Sequence, residues 1–112
     1  MTLSELSKIL NGTLIGNDAE FRHITIDSRN VQNGDCFFAI KGDIFDGHDF
    51  ISDVAKKGAL AAIVDRDVIA DISIIKVKNT RQALMNLARF YRENTNIPVA
   101  AITLSAVIRY RY

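Results

Sequence analysis

Apolar residues recur at helical intervals in three parts of the chain and predict three helices. The first begins after Thr2, which has the spacing of a capping box with Glu5, and it should end at Asn11 and the glycine after it. A second helix should begin near Phe50 and end at Gly58. The longest helix should occupy residues 80–94, with one apolar face and one polar face.

Short apolar runs between these segments predict strands. The run at residues 36–40 is continuous, as expected of a strand that is buried on both faces. Further strands are predicted at residues 13–15, 21–26, 61–64, 72–77 and 99–103. Strands that alternate with helices indicate an α/β fold, here with a small mixed or parallel sheet flanked by helices.

Composition narrows the class of protein. The chain has 112 residues, of which 48% are apolar and 24% charged, which fits one folded domain and excludes wholesale disorder. A net charge of +1 gives no reason to expect nucleic acid as a partner, and no apolar run approaches the ~18 residues of a membrane span. The first eight residues lack the features of a secretion signal, and the single cysteine excludes an internal disulfide. We therefore expect a cytoplasmic protein without membrane insertion.

Two polar loops, after the strands at residues 21–26 and 36–40, carry the candidate chemistry. Ligands of open α/β sheets bind beyond the strand ends, where such loops converge. Ser28 offers a hydroxyl and Arg29 a planar fork suited to phosphate oxygens, while Gly42 and Gly47 allow the backbone to approach a ligand. His48 lies near the start of the next helix, where an anion is favoured. Together these residues suit a phosphorylated small molecule with a polar ring.

Each of these residues also has an ordinary structural interpretation when it is taken alone. The Asp27-Ser28-Arg29 tripeptide can form an Asx-type turn with a solvated arginine. Asp46 or Asp49 can cap the following helix, and a single histidine such as His48 is more often structural than a ligand contact. The sequence contains no catalytic constellation. The histidines lack zinc-ligand spacing with Cys36, whose apolar surroundings predict an inert buried thiol.

The two loops are far more specific in combination than singly. Asp27-Ser28-Arg29, Lys41-Gly42 and the stretch Phe45-Asp46-Gly47-His48-Asp49-Phe50 resemble the N-terminal domain of the Mur ligases, cytoplasmic ATP-dependent enzymes that build the peptidoglycan peptide. The resemblance covers residues 1–103. The stretch at 45–50 is similar to the branch that adds D-alanyl-D-alanine to UDP-N-acetylmuramoyl-tripeptide. The branch that adds the third amino acid is the alternative, since it shares Asp-Ser-Arg but differs after Lys-Gly.

The resemblance implies a division of the chain and a set of substrate contacts. Residues 1–79 would recognise the UDP end of a UDP-N-acetylmuramoyl peptide, residues 80–96 would be a linker helix, and residues 97–103 would be the first strand of an ATP-binding domain. No catalytic residue and no metal ligand is implied for this chain, whereas the full-length family uses ATP and magnesium. The residues implied to contact the UDP moiety are Asp27, Ser28, Arg29, Lys41, Gly42, Phe45, Asp46, Gly47 and His48.

The chain departs from the family pattern after Thr103. The family continues into a Gly-Ser/Thr-x-Gly-Lys-Thr phosphate loop, but at residues 104–109 only Ser105 agrees, so residues 104–112 form a tail that does not match. Without those glycines and that lysine, we expect this chain alone to be catalytically inactive and to hold no cofactor. The apolar residues 97–108 predict weak self-association. A non-catalytic protein-binding module is the competing interpretation.

Overall fold

The computed structural model describes residues 1–93. The predicted strand at 99–103, the tail 104–112, the self-association segment 97–108 and the end of the linker 80–96 lie outside that part. The described helices are Leu3–Ile9 (α1), Ile51–Lys56 (α2) and Thr80–Glu93 (α3), and the strands are Thr13–Ile15 (β1), Ile24–Thr25 (β2), Cys36–Phe38 (β3), Ala61–Val64 (β4) and Ser73–Lys76 (β5). No helix in residues 1–93 combines the length and apolarity needed to cross a bilayer.

The five strands form one mixed sheet in the order β1-β5-β4-β3-β2. β1 runs antiparallel to β5, and the other three neighbouring pairs are parallel. The carboxyl ends of β2 to β5 therefore meet at one edge of the sheet, which also receives the two polar loops. The predicted α/β class with a mixed sheet flanked by helices is confirmed.

The core lies on both faces of the sheet. One cluster packs the sheet against α1 and α3, and the other packs it against α2. Adjacent residues of β3 serve opposite faces, because Phe38 belongs to the first cluster and Phe37 to the second. The prediction of a doubly buried strand is confirmed, and burial raises the pKa of the Cys36 thiol well above its usual range.

The predicted capping box of α1 is present. The Glu5 backbone N–H donates to Thr2 Oγ1 (3.2 Å), and the Thr2 N–H donates to Glu5 Oε1 (2.9 Å). Asn11 ends the helix in the left-handed conformation, with φ 56°, and Gly58 follows α2 with φ 96°. Both predicted ends are therefore confirmed.

The predicted bounds of several elements are too wide. The strand expected at 21–26 is reduced to β2, and at its carboxyl end the Asp27 N–H turns back to donate to Thr25 Oγ1 (3.1 Å). Short 3-10 helices, Ser28–Asn30 and Gly47–Phe50, then follow β2 and precede α2. Polar side chains that bond to nearby backbone compete with the regular ladder, and this explains the carboxyl end of β2 and the two short helices.

Candidate functional site

A cavity of about 690 Å³ lies beyond the carboxyl ends of β2 and β3. Its walls come from the loop after β2 and the loop after β3, and its floor includes the apolar side chains of Ile26, Phe37 and Ile40. The volume is within the range of ordinary small-molecule sites. The predicted site residues that line it are Asp27, Ser28, Arg29, Gly42, Phe45 and Gly47.

Asp27 organises the first wall. Its Oδ1 accepts from the Arg29 backbone N–H (2.9 Å) and caps the 3-10 helix, as the Asx-turn interpretation predicts. The carboxylate also accepts from the Arg29 guanidinium, at 3.1 Å from both Nε and Nη2. The Arg29 guanidinium holds the pKa of Asp27 below its usual range. Asp27 therefore fixes the arginine fork beside the cavity and occupies two of its five N–H groups.

The 3-10 helix of the first wall is fastened to α2. Lys57, directly after α2, donates from Nζ to the Ser28 carbonyl oxygen (2.9 Å). The Arg29 side chain is 86% exposed and the Ser28 residue is half-buried. The wall thus presents a hydroxyl and a guanidinium on a short rigid turn, which suits phosphate oxygens.

The second wall is a tight turn that begins after Ile40. The Gly47 N–H donates to the Ile40 carbonyl (2.9 Å), and the Gly42 N–H donates to the Phe45 carbonyl (2.7 Å). Ile44 and Phe45 are at the tip of the turn, 85% and 69% exposed.

Large apolar side chains at the tip of a polar loop indicate a binding surface rather than a solvated turn. The Phe45 ring lies 6.3 Å from the Phe50 ring, centroid to centroid, and both border the cavity together with Ile44. The sequence analysis did not select Ile44, although an apolar pair at the centre of a charged loop was a visible signal. The resulting apolar rim suits one face of a flat heterocycle.

Three predicted site residues lie outside the cavity lining. The His48 side chain is 3% exposed, with Nδ1 at 2.7 Å from Asp46 Oδ1. Asp46 caps the Gly47–Phe50 helix by accepting from the His48 N–H (3.0 Å). Lys41 is exposed, and its carbonyl accepts from the Arg81 guanidinium. The capping interpretation of Asp46 is confirmed, whereas a substrate contact by these three residues stays a prediction.

Asp46 is the most heavily bonded carboxylate of the second wall. Burial alone would raise its pKa, but the bonds from the His48 ring and backbone and the charge of Arg66 outweigh burial and hold the pKa of Asp46 below its usual range. Arg66 Nη1 lies 3.0 Å from Asp46 Oδ2. The ionised form of Asp46 is therefore favoured in the folded state.

This lowered pKa predicts how stability responds to acid. A carboxyl whose folded-state pKa is depressed stabilises the fold above its unfolded pKa of about 3.9, and that contribution is lost as the pH falls through the folded value. We expect Asp46→Asn to flatten the loss of unfolding free energy on acidification below about pH 4, measured by urea denaturation. Asp43→Asn removes an exposed carboxylate from the same loop and serves as the control. An equal flattening in both variants would contradict the assignment.

The spacing of potential metal ligands bears on the magnesium that the family uses. In residues 1–93, His, Cys, Asp and Glu side chains do not come together in groups of three or more that could hold a metal ion. The magnesium that the resemblance implies for the full-length family is therefore not assigned to these residues.

Comparison with known proteins agrees with this geometry. A family model described as Mur ligase family, catalytic domain, matches residues 20–99. The chain belongs to the Mur ligase family. The resemblance on which the sequence analysis relied is thus confirmed.

Individual Mur ligases are similar over most of this chain. UDP-N-acetylmuramoyl-tripeptide--D-alanyl-D-alanine ligase of Escherichia coli (strain K12) is 40% identical over 106 residues, covering 95% of this chain and 24% of that protein. UDP-N-acetylmuramoyl-L-alanyl-D-glutamate--2,6-diaminopimelate ligase of Clostridium perfringens (strain 13 / Type A) is 43% identical over 98 residues, covering 84% and 20%. A crystal structure of MurF from Acinetobacter baumannii superposes with a TM-score of 0.73 at 33% identity, covering 81% and 21%. The chain therefore spans about a quarter or less of these relatives.

Proposed function

We propose that residues 1–79 recognise the UDP end of UDP-N-acetylmuramoyl-tripeptide for a ligase that adds D-alanyl-D-alanine to it in the cytoplasm. The observation that carries the proposal is the cavity at the carboxyl ends of β2 and β3. One wall carries an arginine that can bind phosphate oxygens, and the other carries an apolar rim that can contact a base. A nucleoside diphosphate requires both. The name of the E. coli relative supports the choice of substrate.

Each wall has a distinct part in this proposal. Arg29, held by Asp27, donates to the diphosphate, and the Ser28 hydroxyl adds a neutral hydrogen bond. Phe45 and Ile44 cover one face of the uracil ring, and Phe37 and Ile40 lie beneath it. Residues 1–93 then bind and orient the substrate. Amide formation, for which the family uses ATP, is assigned to none of them.

A second candidate within the family is supported by the Clostridium perfringens relative, whose identity to this chain is about as high. In that case the substrate would carry a dipeptide, and the third amino acid would be the group that is added. The chain differs from that branch in the residues after Lys41-Gly42, where Ile44 and Phe45 form the apolar rim. This difference supports the tripeptide substrate.

Removing the arginine fork should weaken nucleotide binding. In an amide-resolved NMR titration of the 112-residue chain with UDP-N-acetylmuramoyl-tripeptide, we expect shifts concentrated at residues 27–29 and 42–47. Arg29→Ala should raise the Kd about tenfold, ~1.4 kcal/mol, because charge-assisted hydrogen bonds to the diphosphate are lost. Arg89→Ala removes the same charge from the exposed face of α3 and should leave the Kd unchanged.

Four other results would contradict parts of the proposal. A dispersed spectrum that does not move would mean that residues 1–79 do not recognise the nucleotide unaided. Equal losses in Arg29→Ala and Arg89→Ala would remove Arg29 from the site. Tighter binding of the UDP-linked dipeptide than of the tripeptide would favour the second candidate, and binding of a protein without binding of nucleotide would favour a protein-binding module.

A further inference from the structure

A chain of hydrogen bonds runs from the cavity loop to the start of α3, with His48 at its centre. His48 Nδ1 lies 2.7 Å from Asp46 Oδ1, at the end of the loop. On the other side of the ring, Nε2 lies 3.2 Å from both the backbone N–H and the carboxylate Oδ1 of Asp65, directly after β4. The ring thus joins the end of the loop after β3 to the start of the loop after β4.

Asp65 extends the chain to α3. Its Oδ2 accepts from the backbone N–H (3.3 Å) and the hydroxyl (3.2 Å) of Thr80, the first residue of α3, which is almost fully buried. A second connection runs alongside, since the Arg81 guanidinium donates to the Lys41 carbonyl at 2.9 and 3.2 Å. Both ends of the 41–47 loop are therefore fastened to the first turn of the same helix.

We propose that His48 is a positioning residue of the cavity, which holds the 41–47 loop in its ligand-binding conformation by joining Asp46 to Asp65 and α3. The inference rests on the proposed function, because it assumes that this cavity takes the nucleotide. His48 acts through the loop and does not touch the ligand, which departs from its predicted role as a substrate contact.

The burial of the ring and the partners of its two nitrogens support this role. The ring is 3% exposed and does not line the cavity, whereas the loop residues on either side of the turn, Gly42 and Gly47, do. Both ring nitrogens have partners on opposite sides of the ring, Asp46 Oδ1 at Nδ1 and the Asp65 backbone N–H and Oδ1 at Nε2. A side chain without these two polar atoms would leave the Asp65 N–H without its acceptor and would remove the ring from Asp46, which keeps Arg66 and the backbone N–H of residue 48. The loop would then lose its connection through the ring to Asp65 and α3, so it would open more often.

The expected change in Kd follows from the fraction of molecules in which the 41–47 loop forms the cavity. If the loop forms the cavity only a tenth of the time, the apparent Kd for the ligand rises about tenfold. Amide hydrogens of Gly42 and Gly47, which bond to the Phe45 and Ile40 carbonyls inside the loop, should exchange faster without any ligand. Their factor should be at least as large, because exchange follows the open fraction, which rises from a small value to about nine tenths. A direct substrate contact by His48 predicts the first effect and not the second.

The test compares three variants of the 112-residue chain. His48→Phe keeps a ring but no hydrogen bond, and we expect a Kd for UDP about tenfold higher and Gly42 and Gly47 amide exchange faster by about tenfold or more. His48→Asn can place an amide nitrogen where Nδ1 stood and keep the bond to Asp46, so it should recover part of both effects and serves if His48→Phe does not fold. Ile75→Val lowers stability by removing a buried methyl group of β5, and it should change neither.

The outcomes separate this inference from the proposed function. Wild-type binding of UDP, with unchanged Kd and exchange in His48→Phe and His48→Asn, would overturn the positioning role alone. An effect in Ile75→Val as large as in the His48 variants would do the same, because it would reflect stability only. If wild type does not bind UDP, the proposed function fails, and the exchange of the two glycine amides still decides whether His48 holds the loop.

Discussion

Phe38→Ala should lower the free energy of unfolding by about 3–5 kcal/mol, the largest effect expected of any single substitution considered for this chain. Phe38 is fully buried in β3, within the cluster that packs the sheet against α1 and α3. Removing its ring deletes apolar contacts and leaves a cavity that the surrounding strands fill only partly. Because a domain of this size has about 5–15 kcal/mol of stability, a sizeable part of it would be lost.

Phe45→Ala is the matched control, because it deletes the same side chain from an exposed position. Phe45 is 69% exposed at the tip of the second wall, so the free energy of unfolding should change by about 0.5 kcal/mol or less. Urea denaturation followed by circular dichroism measures both, and Phe38→Leu supplies a milder change if Phe38→Ala has no folded baseline. Equal losses in Phe38→Ala and Phe45→Ala would contradict the assigned positions of the two rings.

The sheet was predictable because its signals are local. Residues 36–40 are apolar without interruption, and β3 is buried on both faces as that pattern requires. Val64 ends both the predicted strand 61–64 and β4, and Thr2 with Glu5 forms the predicted capping box. In each case the residues that make the signal also make the interaction, so no knowledge of distant contacts was needed.

The site was predictable only in part, because its contacts join residues far apart in sequence. Ser28 and Arg29 are in the cavity wall as chemistry suggested. His48 has the right chemistry for an anion, but Asp65, seventeen residues further on, takes its Nε2 and buries the ring away from the cavity. Nothing in the sequence near His48 identifies that partner.

Gly47 in the second wall has no room for a side chain. A Cβ there would lie 2.7 Å from the Ile40 nitrogen and 2.9 Å from the Ala39 Cα, closer than real Cβ atoms come to such neighbours. Both neighbours are backbone atoms of the segment directly after β3, and the Gly47 N–H itself donates to the Ile40 carbonyl (2.9 Å). The loop therefore crosses the chain at a separation that only glycine permits.

Gly47→Ala should consequently lower the free energy of unfolding by about 1–3 kcal/mol through overpacking. It should also weaken nucleotide binding, because relief of the clash moves the loop that carries Phe45 and Gly42 away from the opposite wall. Urea denaturation and a UDP titration measure the two effects. Asp49→Ala, an exposed change in the same 3-10 helix, should alter unfolding by about 0.5 kcal/mol or less. Unchanged stability in Gly47→Ala would mean that the loop at Gly47 can move away from residues 39–40 at no cost. The description of the second wall as rigid would then be wrong.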